Sequence, residues 1–324
     1  IHLPAVKSLS FCHSQRAQPS LSGRSKLLAV AASLLLPMRR VVHLILLVTL
    51  QLLWDALAPP RSAPSATTLW FALAFTVLTW QTLLWTTVLF FEHLDVRHAA
   101  GRRPCGCISG IVGKLQLSAT RSEPSLATQA PVAARNMVMV LLIVSVAFNA
   151  LEQHGWFYVG SSSDAFGLRV LWSFMYSARH YATADIFFYA GHHAMHCVPA
   201  LQKTHRLHHT SSASCAMAGY YMSALDFLLE HFPIFISFAL WRDIGAAWPV
   251  SICVGTWNLL ATHSGWDLLW GPDPRDHWIH HNGGRAGVVS NLGIFLDHVF
   301  GTKVKMPDSG PLSARCVPVG RVAL

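Results

Sequence analysis

The same histidine pattern occurs twice in this chain, about seventy residues apart. "THRLHH" (204–209) and "DHWIHH" (276–281) both carry the spacing His-x-x-His-His. Residues three and four apart lie on one face of a helix, and neutral imidazole is the commonest metal ligand in proteins. The repeat therefore predicts that each triplet binds metal from one helical face. The triplets are His205, His208 and His209, and His277, His280 and His281.

Three further histidines extend this pattern. In "DIFFYAGHHAMH" (185–196), His192 and His196 stand four residues apart, and His263 lies in "ATHSGW" (261–266). A single pair with helical spacing often arises by chance. Structural roles alone are a poor explanation for nine such histidines, which the membrane topology predicted below places on one side of the bilayer. We predict that all nine are metal ligands.

The number of histidines bears on the metal. Nine neutral imidazoles are too many for one tetrahedral zinc ion, and imidazole serves iron, zinc and copper alike. Hydrolytic zinc sites usually add a carboxylate base, as in His-Glu-x-x-His, and the chain lacks that motif. A haem held by two histidines would need far fewer. The set fits an O₂-activating di-iron centre better, with two iron ions as cofactor and O₂ as co-substrate, while a hydrolase with a single zinc stays open as an alternative.

The composition indicates a membrane protein. Hydrophobic residues make up 52% of the chain and charged residues 12%, against roughly 25% charged in an ordinary soluble domain. The uncharged stretch 69–91 exceeds the ~20 residues that cross a bilayer. We predict an all-α fold, a polytopic membrane helical bundle with about six spanning or partly spanning helices. The other five stretches are 41–54, 137–151, 170–190, 216–240 and 244–262.

The distribution of lysine and arginine predicts the orientation of these helices. With six crossings, 20 of the 24 Lys and Arg residues fall in the segments on one side of the membrane, and the exceptions are Arg61, Arg169, Arg179 and Arg242. These segments are 1–40, 92–135, 191–215 and 263–324. The positive-inside rule makes that side the cytosol, which places both termini and the histidines there. The net charge of +9 then needs no nucleic acid, because anionic lipid or an acidic protein accounts for it.

We divide the chain into four parts. Residues 1–37 lack Asp and Glu and are typical of a targeting-like or non-native leader. Residues 38–160 are predicted to be membrane anchor helices with a mobile basic loop at 92–135, and 161–302 the catalytic domain. Residues 303–324 form a basic tail that we expect to be loosely ordered. Cys105 and Cys107 form an isolated Cys-x-Cys whose role stays open.

The order His-x-x-x-His, His-x-x-His-His, His-Ser-Gly, His-x-x-His-His resembles the fatty acid hydroxylase/sterol desaturase superfamily of membrane di-iron oxygenases. Asp185, Tyr189, "NLG" (291–293) and "LDHVFGT" (296–302) match as well, so that the resemblance covers about 185–302. In "YYMSALDFL" (220–228), Ser223-Ala224 stands where many members carry His-Pro. A Met-Ser pair before an acidic residue is similar to the cholesterol 25-hydroxylase-like branch.

The resemblance implies a chemistry and its partners. It implies hydroxylation of a sterol or fatty-acyl C–H bond, in the endoplasmic reticulum, with the nine histidines facing the cytosol. The chain has no Gly-x-Gly-x-x-Gly dinucleotide motif, so the electrons are expected from cytochrome b5 or a reductase. Five side chains near the histidines are candidates to hold the imidazole rings in place: Asp185, Asp226, Asp276, Asn291 and Asp297.

Two alternatives remain at this stage. A sterol desaturase or C-4 methyl oxidase shares the iron chemistry and differs in the shape of the substrate pocket. A catalytically silent membrane scaffold or lipid-binding protein keeps the fold without the reaction.

Overall fold

The computed structural model describes residues 66–101, 111–116, 123–154, 166–241, 247–268, 271–282, 295–302 and 315–318. All of them belong to one compact unit, Arg39–Leu324. Four sequence-based predictions lie outside the described residues: the leader at 1–37, the helix at 41–54, the Cys105/Cys107 pair and the role of Asn291.

The described part of the chain is mostly helical. Its α-helices are α1 (Ala66–Ala99), α2 (Leu126–His154), α3 (Phe166–Cys197), α4 (Pro199–His205), α5 (Ala224–His231), α6 (Pro233–Trp241), α7 (Ala247–His263), α8 (Pro274–Asn282) and α9 (Phe295–Val299). Two 3₁₀ turns, His208–Thr210 and Ala216–Tyr220, lie between α4 and α5.

A small antiparallel sheet corrects the all-α prediction. Its strands are β1 (Ile111–Gln116), β2 (Trp266–Leu268) and β3 (Arg315–Pro318), in the order β2-β1-β3. The predicted loop at 92–135 is wrong, because α1 and α2 extend into its two ends and β1 lies in its middle. Part of the predicted tail, the strand β3, is ordered by pairing with β1. The strand partners of β1 lie about 150 and 200 residues further along the chain, which is why a local pattern could not reveal the sheet.

The predicted membrane helices have mixed outcomes. The stretch 69–91 lies inside α1 without a break, and 137–151 and 170–190 lie inside α2 and α3. The stretch 216–240 is not one helix, because it comprises a 3₁₀ turn, α5 and α6. Among the described residues, Leu126–Ile143 and Ala224–Trp241 are long and apolar enough to cross a membrane. A total of six crossings stays a prediction.

Apolar residues lie on both faces of α1. Trp80, Leu84, Val88 and Phe91 recur at helical spacing and are buried, with the Phe91 ring stacked on Trp257 of α7 at 5.9 Å. Other large apolar side chains of α1, including Leu78 at 66% exposure, are open on the outside. A helix that is apolar all round is typical of a membrane environment, and the buried stripe fixes α7, which ends at His263.

The non-helical segment before α5 is held by α2. Asn136 is fully buried, and its Nδ2 donates to the carbonyl oxygens of Tyr220 and Met222, both at 3.0 Å. Arg135 Nη2 also donates to the Met222 carbonyl, at 2.8 Å. Backbone carbonyls away from water need such partners. The segment then ends at Ser223, whose side chain caps α5 by accepting from Asp226 N.

Candidate metal centre

The nine histidines come from five places in the fold. His192 and His196 end α3, His205 ends α4, His208 and His209 form a 3₁₀ turn, His263 ends α7, and the last triplet lies in α8. Their ring nitrogens converge into two groups, in each of which the ligand atoms lie within 4.8 Å of one another. The five-histidine group is His192, His196, His205, His209 and His280, and the four-histidine group is His208, His263, His277 and His281.

The two His-x-x-His-His triplets are divided between these groups in opposite ways. In the first triplet, His205 and His209 belong to the five-histidine group and His208 to the four-histidine group. In the second, the outer pair belongs to the four-histidine group and His280 to the five-histidine group. Each triplet therefore supplies ligands to both groups, where the sequence suggested one common face. The groups adjoin, since the rings of His209 and His281 stack at 4.5 Å.

Hydrogen bonds at the outer edges of the rings fix which nitrogen faces inward. His263 Nδ1 lies 2.7 Å from the Leu259 carbonyl oxygen, and His281 Nδ1 lies 3.0 Å from the Ser211 carbonyl oxygen. Because a carbonyl only accepts, both Nδ1 atoms carry the proton and both Nε2 atoms present a lone pair. His205 Nδ1 likewise donates to Asp226 Oδ1 at 2.9 Å.

These inward lone pairs are too many for hydrogen bonds among the rings. His277 Nε2 lies 2.7 Å from His263 Nε2 and 3.0 Å from His281 Nε2, but it can supply only one proton. In the other group, His205 Nε2 faces the Nε2 atoms of His192 and His209 at 3.1 and 2.8 Å. A cation at each convergence point would satisfy the lone pairs together, so the residues present fit one divalent ion per group.

The electrostatics keep these rings in the form that binds metal. Burial, reinforced by neighbouring imidazoles, lowers the pKa of His205, His208, His280 and His281 far below 6.5. The pKa of His196 falls to about 4, first through burial and then through His193. A ring that stays neutral at physiological pH is a ready ligand.

The carboxylate candidates differ in what they contact. Asp226 is fully buried and orients His205 through Nδ1, whereas Asp297 accepts from Thr302 Oγ1 at 2.6 Å. Thr302 in turn contacts Tyr189, so Asp297 fastens α9 to α3. Asp185 is buried in the wall of a cavity, and Asp276 is half-buried in the first turn of α8.

Glu123 was not among the residues predicted from the sequence. Its carboxylate accepts from Ser211 Oγ at 2.7 Å, from Ser214 Oγ at 2.6 Å, and from the backbone N–H and the hydroxyl of Ser212. Burial would raise its pKa, but the serine hydrogen bonds together lower it below 4.5. Glu123 therefore stays ionised and holds the segment 211–214.

This segment supports the four-histidine group directly. The Ser211 carbonyl is the acceptor for His281 Nδ1, and the Ser212 carbonyl accepts from Asn282. Ala213 lies between them at φ 56°, a left-handed conformation that costs a non-glycine residue roughly 1–2 kcal/mol. Lys114 of β1 adds a further bond, to the Ser214 carbonyl at 3.1 Å. The segment keeps this strained conformation because the hydrogen bonds from Glu123 and Lys114 hold its backbone in place.

Gly219 lets the second 3₁₀ turn approach α7 at His263. A Cβ at this position would lie 2.9 Å from Leu259 Cγ and 3.2 Å from both His263 Nδ1 and the Leu259 carbonyl oxygen. The missing side chain thus leaves room for the hydrogen bond that sets the His263 ring. A glycine has this role wherever backbone and side chain must meet so closely.

A cavity of about 130 Å³ adjoins the five-histidine group. Helices α1, α2, α3, α5, α6 and α7 all line it, mostly with apolar and aromatic side chains. Phe188 and Glu230 belong both to its wall and to the surroundings of His192, whose ring lies 5.1 Å from the Phe188 ring. Glu230 was visible in the sequence only as an ionisable residue in an apolar stretch, which is a functional signal in membrane proteins.

Comparisons with known proteins match this part of the chain. The family model described as Fatty acid hydroxylase matches residues 177–302, which include all nine histidines but neither Glu123 nor Lys114. Methylsterol monooxygenase 1-3 of Arabidopsis thaliana is 24% identical over 121 residues, 34% of this chain and 42% of that protein. The match thus spans less than half the length of that curated relative. No solved structure matches the chain.

Acidification should release metal and loosen the histidine groups. Because the folded pKa of His196 is about 4 against 6.5 unperturbed, the unfolded chain binds more protons between these two values. We therefore expect the melting temperature of metal-free protein in detergent to fall as the pH drops below 6.5. The contribution of His196 is complete below about 4, and the histidines with still lower pKa values continue the fall. Differential scanning fluorimetry checks this, and His196→Asn should show a shallower fall. A melting temperature that does not change over this range would contradict the assignment.

Glu123→Gln should weaken metal binding at the four-histidine group. The amide nitrogen would face serine donors, leaving buried donors unmatched, and loss of such an orienting contact typically lowers metal affinity by about 10–100-fold. Metal content after dialysis against a graded chelator series measures the loss. Ser125→Ala, which removes the side-chain contact with Thr128 N in the first turn of α2, is the control and should keep its metal. Equal retention in both variants would refute the role of Glu123.

Gly219→Ala should displace His263. The added methyl group meets backbone as well as side chain, so we expect a loss of about 1–3 kcal/mol of stability, as for overpacked cores, together with loss of metal from the four-histidine group. Gly255→Ala in α7, where a Cβ meets nothing within 4 Å, is the matched control and should be neutral or slightly stabilising. Thermal melting and metal analysis of both variants test this, and normal metal content in Gly219→Ala would count against it.

Proposed function

We propose that the chain is a membrane oxygenase of lipids in the fatty acid hydroxylase/sterol desaturase superfamily, because residues 177–302 match the family model described as Fatty acid hydroxylase. The proposed reaction is hydroxylation of a sterol or fatty-acyl C–H bond with O₂ and externally supplied electrons. The supporting observation is the convergence of nine imidazoles into two adjoining groups beside an apolar cavity.

The donor set suits two irons. When bound, two irons would supply the two-electron activation of O₂ that attack on an unactivated C–H bond requires. The chain itself holds the rings neutral and fixes the inward nitrogen through Asp226 and through the carbonyls of Leu259 and Ser211. Preorganised ligands of this kind need no rearrangement when metal binds.

The cavity suits the reacting part of a lipid. Its walls are mostly aromatic and aliphatic, and it reaches the five-histidine group at Phe188 and Glu230. Away from these residues, Thr256 Oγ1 accepts from Trp80 Nε1 at 2.7 Å and contacts the Tyr220 hydroxyl at 3.2 Å. The wall therefore also carries hydroxyl groups, which suits a substrate with a polar end such as a sterol.

Two substrate assignments follow from different observations. The segment "MSALD" (222–226) favours the cholesterol 25-hydroxylase-like branch. The similarity to a methylsterol monooxygenase favours oxidation of a methyl group on a sterol. Both are oxidations of a sterol C–H bond and differ in which carbon faces the metal, so a sterol hydroxylase is our primary assignment. A sterol desaturase or C-4 methyl oxidase is the second candidate.

The setting of the enzyme is part of the same proposal. We place it in the endoplasmic reticulum membrane with its termini and histidines in the cytosol, in keeping with the positive-inside rule. Its net charge of +9 would suit docking of an acidic electron donor, cytochrome b5 or a reductase.

Metal and product analysis tests the proposal. Protein purified in detergent should contain about two irons per chain, and His208→Ala and His280→Ala should each lose iron and activity. His93→Ala, an exposed histidine of α1, is the control.

Cells given labelled sterols and fatty acids under ¹⁸O₂ should yield a product with one ¹⁸O atom. A product that has lost two hydrogens and gained no oxygen would show that the enzyme is a desaturase. A purified protein without metal would support the scaffold alternative, and one with a single zinc would support the hydrolase alternative.

A further inference from the structure

Glu230 is a buried acidic residue without a visible partner. It lies in the last turn of α5, its side chain is 3% exposed, and its Oε1 has no hydrogen-bond partner among the described residues. Two imidazole nitrogens lie close to it: Oε1 is 3.9 Å from His192 Nε2 and 3.8 Å from His205 Nδ1. The carboxylate is thus aimed at the five-histidine group.

A second buried carboxylate, that of Asp226, lies next to Glu230 and also lacks a compensating positive charge among the described residues. Asp226, one turn earlier in α5, is fully buried, and its Oδ2 also lacks a hydrogen-bond partner. The ligand atoms of His205, Asp226 and Glu230 lie within 4.8 Å of one another. Buried carboxylates require a cation or a full set of donors, and neutral imidazoles whose protons are already engaged supply neither. A divalent cation at this place would supply the charge.

The two carboxylates differ in which imidazole nitrogens they reach. Asp226 binds His205 at Nδ1, the nitrogen that points away from the group. Glu230 Oε1 lies 3.8 Å from the same His205 Nδ1, but it also lies 3.9 Å from His192 Nε2, the nitrogen that points into the group and faces His205 Nε2. Asp226 therefore orients a ring, while Glu230 also reaches the inward nitrogen of His192, beside the place where an ion would be.

We propose that Glu230 is an oxygen ligand of the metal ion in the five-histidine group, reaching it from the wall of the lipid cavity. This inference depends on the proposed function only in that the nine histidines bind two ions. It makes the two ions unequal, because one has a charged oxygen donor and the other, in the four-histidine group, has imidazoles alone. Since Glu230 also lines the cavity, the unequal ion is the one beside the lipid.

Cobalt(II) titration of the metal-free full-length protein in detergent tests this assignment. Two ions should bind to the wild type. In Glu230→Gln, which keeps the shape and removes the charge, one of the two should bind at least about tenfold more weakly, with a change in its visible d–d absorption. Glu230→Asp keeps the charge and should recover part of the affinity. Glu92→Gln makes the same change at a half-buried carboxyl of α1 that contacts Cys215, and should titrate as the wild type.

The outcomes separate the two proposals. If the wild type binds two ions and Glu230→Gln binds both with unchanged affinity and spectrum, Glu230 is not a ligand, although the function stands. If the wild type binds fewer than two ions, the proposed function fails first. Should Glu230→Gln not fold, the comparison passes to Glu230→Asp, whose cobalt spectrum must differ from that of the wild type for a ligand and match it for a purely structural carboxyl.

Discussion

A metal centre built from imidazole requires every ring to be neutral and to direct an unprotonated nitrogen inward. The contacts around the nine histidines serve that requirement. Each ring that is fixed needs an acceptor behind it, and the acceptors here are of two kinds, the side chain of Asp226 and the backbone carbonyls of Leu259 and Ser211. A backbone carbonyl can do this only if its segment is itself held in place. The positions of α7 and of the segment 211–214 are therefore as important to the site as the histidines.

The supports of these segments come largely from outside residues 177–302, the part of the chain that matches the fatty acid hydroxylase family model. Glu123 and Lys114 hold the segment 211–214, and Asn136 holds the backbone at Tyr220 and Met222. In α1, the buried stripe from Trp80 to Phe91 packs in the same core as Leu260 of α7. The N-terminal part of the chain thus fixes the backbone to which the histidine rings are hydrogen-bonded.

The sequence allowed prediction of which nine histidines converge and of the helices that carry most of them, but not of how the histidines are divided between two groups. Spacing placed His192 with His196 on a helix and marked His263 at a helix end, since these depend on local periodicity. The assignment of His208 and His280 to the group opposite their neighbours depends on where α4, α7 and α8 meet, which no local pattern encodes. The small sheet and the contacts of Glu123 were missed for the same reason, because they join residues about 90 to 200 positions apart. Asp226 was selected by proximity in sequence, and its bond to His205 gives it a physical role.

The opposite division of the two triplets has a mechanical consequence. A helix turns by about 100° per residue, so rotating α8 by one residue would move His280 away from one group and the pair His277 and His281 away from the other at once. Neither group can be adjusted without disturbing the other. The two histidine groups are therefore coupled, because the register of a single short helix sets the arrangement of both. The spacing within each triplet is accordingly under a tighter constraint than the residues that line the cavity.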